Sequence, residues 1–238
     1  MSRPSRLRTS TLLLALLALA AAACAPRAVI PDAERERVRR QLTGDARWLR
    51  VAAYAAPLWG DTSKVLLSDQ PLDELDLVES AGGTPIAPPA AEKILPPGTA
   101  VRITDVEFPT GWVIAKRVVM SPRYHPWVLV EVPGDTRPYV VVLSQTAASF
   151  GEVRGELDRI LTKDDPSSAL AALPDEQRAA VLRKTLVDGM GPRAVEMAWG
   201  LPEVERIDRP AATAEWTWPG GKRRAFFQDD RLVRWEKP

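Results

Sequence analysis

The sequence has few residues of the kinds that form cross-links, metal sites or charged surfaces. Among its 238 residues there is one cysteine, Cys24, and one histidine, His125. A single cysteine excludes a disulfide within the chain, and the absence of a second histidine or cysteine argues against a zinc site. The formal net charge is only +1, so no broad basic surface is expected for nucleic acid. Tryptophan and proline are plentiful instead, with 8 and 22 residues, which favours short strands joined by turns.

The longest apolar run occupies residues 12–23, directly after a basic segment that contains Arg3, Arg6 and Arg8. A basic start, an apolar stretch of about 7–15 residues and small residues before a cleavage point are typical of a secretory signal peptide. A membrane span needs about 20 apolar residues, so this run is too short to cross a bilayer. We therefore predict that residues 1–23 are a signal peptide and that the remaining chain is exported.

The residues before Cys24 resemble the lipobox of bacterial lipoproteins, in which the cysteine is acylated and becomes the new N-terminus. Ala21 stands where that family prefers leucine. The resemblance implies cleavage between Ala23 and Cys24 and a lipid anchor in a bilayer. Ala25, rather than aspartate, follows the cysteine, which in such lipoproteins implies the outer membrane, facing the periplasm, with the inner membrane as the alternative. The other interpretation is an ordinary signal peptide that leaves Cys24 as a free thiol.

The following residues divide into a tether and a β-rich module. In the tether, residues 24–45, a charged helix is expected over 33–42, and it is expected to be solvated because only Val38 and Leu42 are apolar. Residues 46–148 are predicted to form the β-rich module, because short apolar segments alternate there with turns that contain Gly and Pro. Strands are predicted at 64–67, 75–78, 100–103, 112–119, 127–132 and 139–143. This spacing is typical of a small barrel or sandwich, and residues 94–103 resemble the strand entry of bacterial SH3-like domains.

The C-terminal unit, residues 149–238, is predicted to combine helices with a three-stranded antiparallel sheet. Ser149 and Glu152 have the spacing of a capping box, and an amphipathic helix follows them. A second helix is expected over 174–187 and a short one over 192–199, which Gly200 ends. Strands at 214–218, 223–228 and 231–236 form a sheet whose aromatic face the helices cover. The predicted fold class is therefore α+β.

The end of the chain is similar to the SmpA/OmlA family, also called BamE-like, of small lipoproteins in the outer-membrane β-barrel assembly machinery. The matching positions are Gly189, Met190, Val195, Gly200, Pro202, Glu215 and Trp216. Gly191 replaces the usual serine or threonine after Gly-Met, and Trp218 replaces a frequent tyrosine. The resemblance covers a domain-sized part of the chain and implies a structural role for these residues.

No catalytic motif is recognisable in the sequence. His125 could form a triad only with residues such as Ser121 and Asp135, and no Gly-x-Ser-x-Gly motif supports one. We therefore predict a structural or surface role for His125. Lys222 follows a glycine, but Arg223 stands where a phosphate loop needs serine or threonine. No cofactor and no metal site are predicted.

These observations predict a membrane-anchored envelope lipoprotein that is not an enzyme. Its expected role is that of a scaffold or accessory factor in outer-membrane protein assembly or envelope integrity. The alternative is a cell-wall or peptide-binding lipoprotein that uses the β-rich module. The expected partners are the lipid bilayer, through acylated Cys24, and an envelope protein, but no nucleic acid. The sequence leaves the oligomeric state open.

Overall fold

The computed structural model describes residues 30–237, and within this range the chain forms two β-sheets and six α-helices. The helices are α1 Asp32–Leu42, α2 Gly111–Lys116, α3 Phe150–Ile160, α4 Ser167–Ala171, α5 Asp175–Leu182 and α6 Pro192–Trp199. The strands are β1 Ala46–Leu49, β2 Ala53–Leu58, β3 Asp61–Ser68, β4 Lys93–Leu95, β5 Ala100–Glu107, β6 Trp127–Glu131, β7 Tyr139–Val142, β8 Leu161–Thr162, β9 Val204–Asp208, β10 Thr213–Thr217, β11 Arg224–Gln228 and β12 Arg231–Glu236. Two 3-10 turns, Leu72–Glu74 and Pro219–Gly221, complete the described elements. The predicted α+β class is confirmed at this level.

The larger sheet has eight strands in the order β4-β2-β3-β7-β6-β5-β1-β8. Its neighbouring strands are antiparallel, except that β3 and β7 run parallel. The sheet is open, with β4 and β8 at its two edges, so the expected SH3-like closed barrel does not form in the described range. None of the helices in that range combines the length and apolar character that a bilayer span requires.

One face of this sheet is covered by α1 and α3. Val38 and Leu42 of α1 are fully buried against it, as are Val153 and Leu157 of α3. The prediction that α1 is solvated is therefore wrong, because two apolar side chains one turn apart are enough to seat the helix. The capping box is confirmed, since the Glu152 N–H donates to the Ser149 hydroxyl. However, α3 packs on the larger sheet and not, as expected, on the C-terminal one.

The opposite face carries a smaller core built around two tryptophans. Trp59 donates its indole N–H to the Ile86 carbonyl at 2.7 Å, and Trp127 donates to the Pro122 carbonyl at 3.0 Å. Leu75 packs in the same core from a loop, so the strand predicted at 75–78 is wrong.

The segment between β5 and β6 also departs from the prediction, because α2 occupies the place of the strand expected at 112–119. The Thr110 hydroxyl accepts the Val113 N–H at 3.5 Å and caps the first turn. The apolar residues of this segment face solvent, so their alternation in the sequence did not indicate a strand with one buried face.

The smaller sheet is an antiparallel meander in the order β12-β11-β10-β9. Helices α5 and α6 cover one of its faces over an aromatic core. In that core the rings of Trp199 and Trp218 lie 5.2 Å apart, edge to face, and those of Trp216 and Phe227 lie 4.7 Å apart. The prediction of three strands is corrected to four. The additional strand, β9, was missed because all five of its side chains are exposed, so it has no buried pattern to detect.

Candidate functional site

The predicted lipidation and cleavage residues, Cys24 and Ala23, lie outside the described residues.

The family-motif residues at the start of α6 hold that helix against the smaller sheet. Gly189 has a positive φ of +75°, and its N–H donates to the Leu232 carbonyl at 2.8 Å. Met190 is fully buried, and its sulfur accepts the Val187 N–H at 3.3 Å. Val195 is fully buried in the same core. These contacts fix the approach of the chain to α6.

The remaining motif residues lie after α6 and on β10. Gly200 ends α6 with φ +86°, as the sequence predicted, and its carbonyl accepts the Trp218 indole N–H at 3.1 Å. Pro202 and Trp216 are buried, whereas Glu215 lies on the other face of the sheet and forms an ion pair with Arg224. The motif residues therefore pack and connect elements, and they do not converge on one pocket.

A buried ionic junction, defined here as Asp69, Glu74, Lys184 and Arg223, joins the two sheets. Lys184 is fully enclosed, and its ammonium group donates to the Ala52 carbonyl at 2.6 Å and to the Ala198 carbonyl at 2.9 Å. Burial lowers the pKa of Lys184 to about 7, although the negative charge of Asp69 acts to raise this pKa. Burial also raises the pKa of Asp69, while Lys184 opposes the rise.

The second half of the junction is a buried ion pair between the two units. Arg223, just before β11, donates its Nε–H to Glu74 in the turn after β3 at 2.9 Å. A second donor of Arg223 reaches the Trp199 carbonyl at 3.2 Å. Arg159 of α3 adds a further link, since it donates to the Leu201 carbonyl at 2.6 Å. The two sheets are thus connected by charge-assisted hydrogen bonds, the stronger class of such bonds.

Beside the junction lies a cleft of about 620 Å³ between the larger sheet and the C-terminal unit. Its lining combines apolar strand residues with Asp69, His125, Glu156 and Arg159. Burial raises the pKa of Glu156, whose carboxylate accepts the Ser144 N–H at 2.7 Å. The cleft could hold a ligand with both apolar and polar groups.

The possible catalytic triad does not assemble in this cleft. His125 donates its Nδ1–H to the Leu143 carbonyl at 2.8 Å, and its Nε2 lies 2.9 Å from the Gln145 amide nitrogen. Burial lowers the pKa of His125. Ser121 donates instead to the Val118 carbonyl, and Asp135 accepts from Arg137 and Tyr139. No group of three potential metal ligands occurs between residues 30 and 237.

The smaller sheet has one open edge, formed by β9. Its residues pair with β10 on one side only, and Val204 and Ile207 are 43% and 61% exposed. The other edge of this sheet, β12, is partly occupied, because Leu232 exchanges backbone hydrogen bonds with Gly189 and Met190. The edges of the larger sheet, β4 and β8, have only three and two residues. Long open edges are uncommon in soluble proteins because they can pair with another chain.

An apolar groove of about 580 Å³ runs beside this edge. Ile207, Ala214, Trp216 and Phe227 contribute its apolar surface. The charged residues that line it are Glu205, Asp208, Arg209, Asp229 and Asp230. With four carboxylates against one guanidinium, the groove favours a basic ligand.

No family model matches this chain, and searches of curated proteins and of solved structures find no match either.

The sequence prediction included neither the junction nor the open edge. One local signal for the junction exists: Lys184 comes directly after α5, three and four residues beyond the buried Val181 and Ala180. A lysine at the end of an apolar stripe marks a charge that requires buried partners.

Proposed function

We propose that the protein is a lipid-anchored envelope lipoprotein that acts as a non-catalytic scaffold or accessory factor in outer-membrane protein assembly or envelope integrity. The observation that carries this proposal is the open β9 edge with its groove. An extended segment of a partner protein binds there by adding a strand, and main-chain hydrogen bonds supply the affinity. The likeness of the C-terminal unit to SmpA/OmlA lipoproteins supports the assembly role, and the lipobox-like residues before Cys24 support the anchor.

The chemistry of the groove specifies the partner segment. Ile207 and Ala214 offer an apolar surface, so the segment presents an apolar side chain to it. Asp208 and Asp230 on the rim favour lysine or arginine at the neighbouring positions. Because only every second side chain of a strand faces the groove, the expected ligand is an extended segment whose groove-facing positions, i and i+2, carry one apolar and one basic residue.

Hydrogen exchange with synthetic peptides tests this proposal. A peptide with valine and lysine in turn on one face, and threonine at every position of the other face, should protect the amides of β9, whereas the same peptide with glutamate for lysine should not. Ile207→Asp should abolish the protection, because it replaces the apolar side chain on which the valines pack with a charged one. Val233→Asp, at a residue of β12 that is also 56% exposed, should leave it intact. Equal protection by both peptides, or protection elsewhere only, would contradict the proposal.

A second candidate function, the binding of cell wall or peptide by the β-rich module, is favoured by the cleft beside the junction. Its mixed lining of apolar strand residues and the half-buried Glu156 suits a peptide with polar groups. Sedimentation with isolated sacculi separates the two functions. Retention that is lost in Glu156→Gln but kept in Ile207→Asp would favour this second function.

A further inference from the structure

The segment between β5 and β6, residues 108–126, exposes a concentration of apolar side chains. Trp112 is 70% exposed, Val119 72% and Met120 47%. Val118 and Tyr124 are also exposed, at 39% and 37%. Exposed apolar residues that cluster in one segment usually mark a contact surface, whereas isolated ones need no explanation.

The charges of this segment are of one sign. Residues 108–126 contain no aspartate or glutamate, and their charged residues are Lys116, Arg117 and Arg123. The ammonium group of Lys116 lies 4.5 Å from the centre of the Trp112 ring, so a cation and an amphipathic ring project together. Tryptophan and tyrosine favour the interface between water and lipid, and basic side chains are attracted to anionic headgroups.

Hydrogen bonds of a buried arginine hold the backbone of residues 108–126 in place, so the apolar side chains of this segment are exposed from a fixed position. Arg117 is buried within the segment and donates to the carbonyls of Arg123 and His125, at 3.1 and 2.7 Å, and to the Glu107 carboxylate at 2.9 Å. Its guanidinium lies 3.6 Å from the centre of the Trp127 ring.

A second contact attaches the far end of the segment. The Gly60 N–H donates to the Met120 carbonyl at 3.1 Å, and the Ser121 hydroxyl donates to the Val118 carbonyl at 2.7 Å. Trp112, Val119 and Met120 are thus presented by a backbone that is attached to the sheet.

Residues 108–126 begin at the C-terminal end of β5. The first turn of α1 lies near the same end of this strand. The Gly44 N–H, after α1, donates to the Ile103 carbonyl, and Arg39, one turn earlier, donates to the Val106 carbonyl. Helix α1 therefore runs antiparallel to β5, and its first turn lies toward the end of β5 where residue 108 follows. Ile30 and Phe108 belong to the same buried core. Ile30, the first residue that the structure describes, therefore lies on this side of the fold, and the predicted anchor residue Cys24 precedes it by six residues in the sequence.

We propose that residues 108–126 form a second membrane contact, which lies in the headgroup region of an anionic bilayer and orients the folded chain on the membrane. The contact deepens the proposed function and rests on its envelope location. Trp112, Val119 and Met120 enter the interface, while Lys116 faces the lipid phosphates. Residues 108–126 contribute no carboxylate of their own, and this favours a lipid surface here over the basic peptide expected at β9.

Depth-dependent quenching in vesicles tests this contact on the full chain. A fluorophore is attached to Val119→Cys or, as a matched exposed control, to Val233→Cys, and wild type reports any labelling at Cys24. The chains are reconstituted in phosphatidylcholine vesicles with or without phosphatidylglycerol, and brominated lipids serve as quenchers. We expect stronger quenching at position 119 than at 233, and more of it with phosphatidylglycerol. Lys116→Gln should lower the ratio of docked to undocked molecules about fivefold, the effect of one basic residue near an anionic surface.

Two outcomes would overturn the inference. The first is equal quenching at positions 119 and 233 in vesicles that contain phosphatidylglycerol. The second is a photocrosslinker at 119 that reacts with a protein and not with lipid in intact envelopes. Ile207→Asp separates this inference from the proposed function, because it should abolish peptide binding at β9 and leave quenching at 119 unchanged.

Discussion

Gly200→Ala tests how tightly the two units are joined at the junction. Gly200 has φ +86° and ψ 177°, a backbone conformation that is essentially restricted to glycine. A Cβ atom built there would lie 2.6 Å from Oδ2 of Asp69 and 3.3 Å from its Cγ. Asp69 is buried, at 7% exposure, so the added methyl group must displace its carboxylate within the junction. The substitution therefore combines backbone strain with a collision across the junction.

The two costs can be separated by a matched control. Backbone strain of this kind costs about 1–3 kcal/mol, and forcing one extra carbon into a packed interior costs about 1–3 kcal/mol more. Gly220 also has a positive φ, +76°, but a Cβ there would have no neighbour within 4 Å. Gly220→Ala should therefore show only the strain, about 1–2 kcal/mol for an L-residue. We expect Gly200→Ala to lower the free energy of unfolding by about 2–6 kcal/mol.

Urea unfolding followed by tryptophan fluorescence measures both variants. The decisive comparison repeats Gly200→Ala in an Asp69→Ala background, where the colliding carboxylate is absent. The cost should then fall to the backbone strain at Gly200 alone, which gives a coupling energy of about 1–3 kcal/mol between the two positions. If Gly200→Ala costs no more than Gly220→Ala, or if the coupling is zero, the close approach of Gly200 to Asp69 does not contribute to stability.

Three further predictions follow from single residues. The lowered pKa of Lys184 means that the unfolded chain binds more protons between about pH 7 and 10.5, so stability should rise with pH across that window, by at most about 5 kcal/mol. Urea midpoints from pH 6.5 to 10 should show this rise in wild type and not in Lys184→Met. Ser149→Ala should cost about 1 kcal/mol in the same assay, because the cap for the Glu152 N–H is lost; an unchanged midpoint would contradict the role of the cap. Labelled fatty acid should enter wild type and not Cys24→Ala, and equal labelling would exclude acylation at this residue.

Local chemistry made parts of this fold predictable. Pro192 at the first position of α6 and Gly200 after its end were identified from the sequence alone, since both act through their own backbone. The capping box of Ser149 and Glu152 was identified for the same reason. By contrast, β9 and α2 expose their apolar residues, and for such elements periodicity carries no information about the side that packs.

The junction depends on contacts between distant parts of the chain. Asp69 follows β3 and resembles an ordinary turn residue in sequence, whereas Lys184 follows α5. The folded chain brings Lys184 to the Ala52 carbonyl before β2 and to the Ala198 carbonyl of α6, and it places Gly200 beside Asp69. Sequence spacing reports neighbours on one helix or strand, so it contains no signal for this pairing.

The two units are linked by buried charged groups, and this type of contact is relevant to the proposed scaffold function. An apolar interface of the same size would stabilise the contact at least as well, because buried ion pairs barely recover their desolvation cost. The ion pair between Arg223 and Glu74 restricts the orientation of the two units. Its charged hydrogen bond of 2.9 Å forms in only one relative placement of the units. Any displacement of one unit along the other would leave a buried charge without its partner. The two carbonyls bound by Lys184 impose the same condition from the other side. A protein that holds a partner at β9 while residues 108–126 rest on a bilayer needs this fixed geometry, because the distance and angle between the two surfaces set where the partner stands above the membrane.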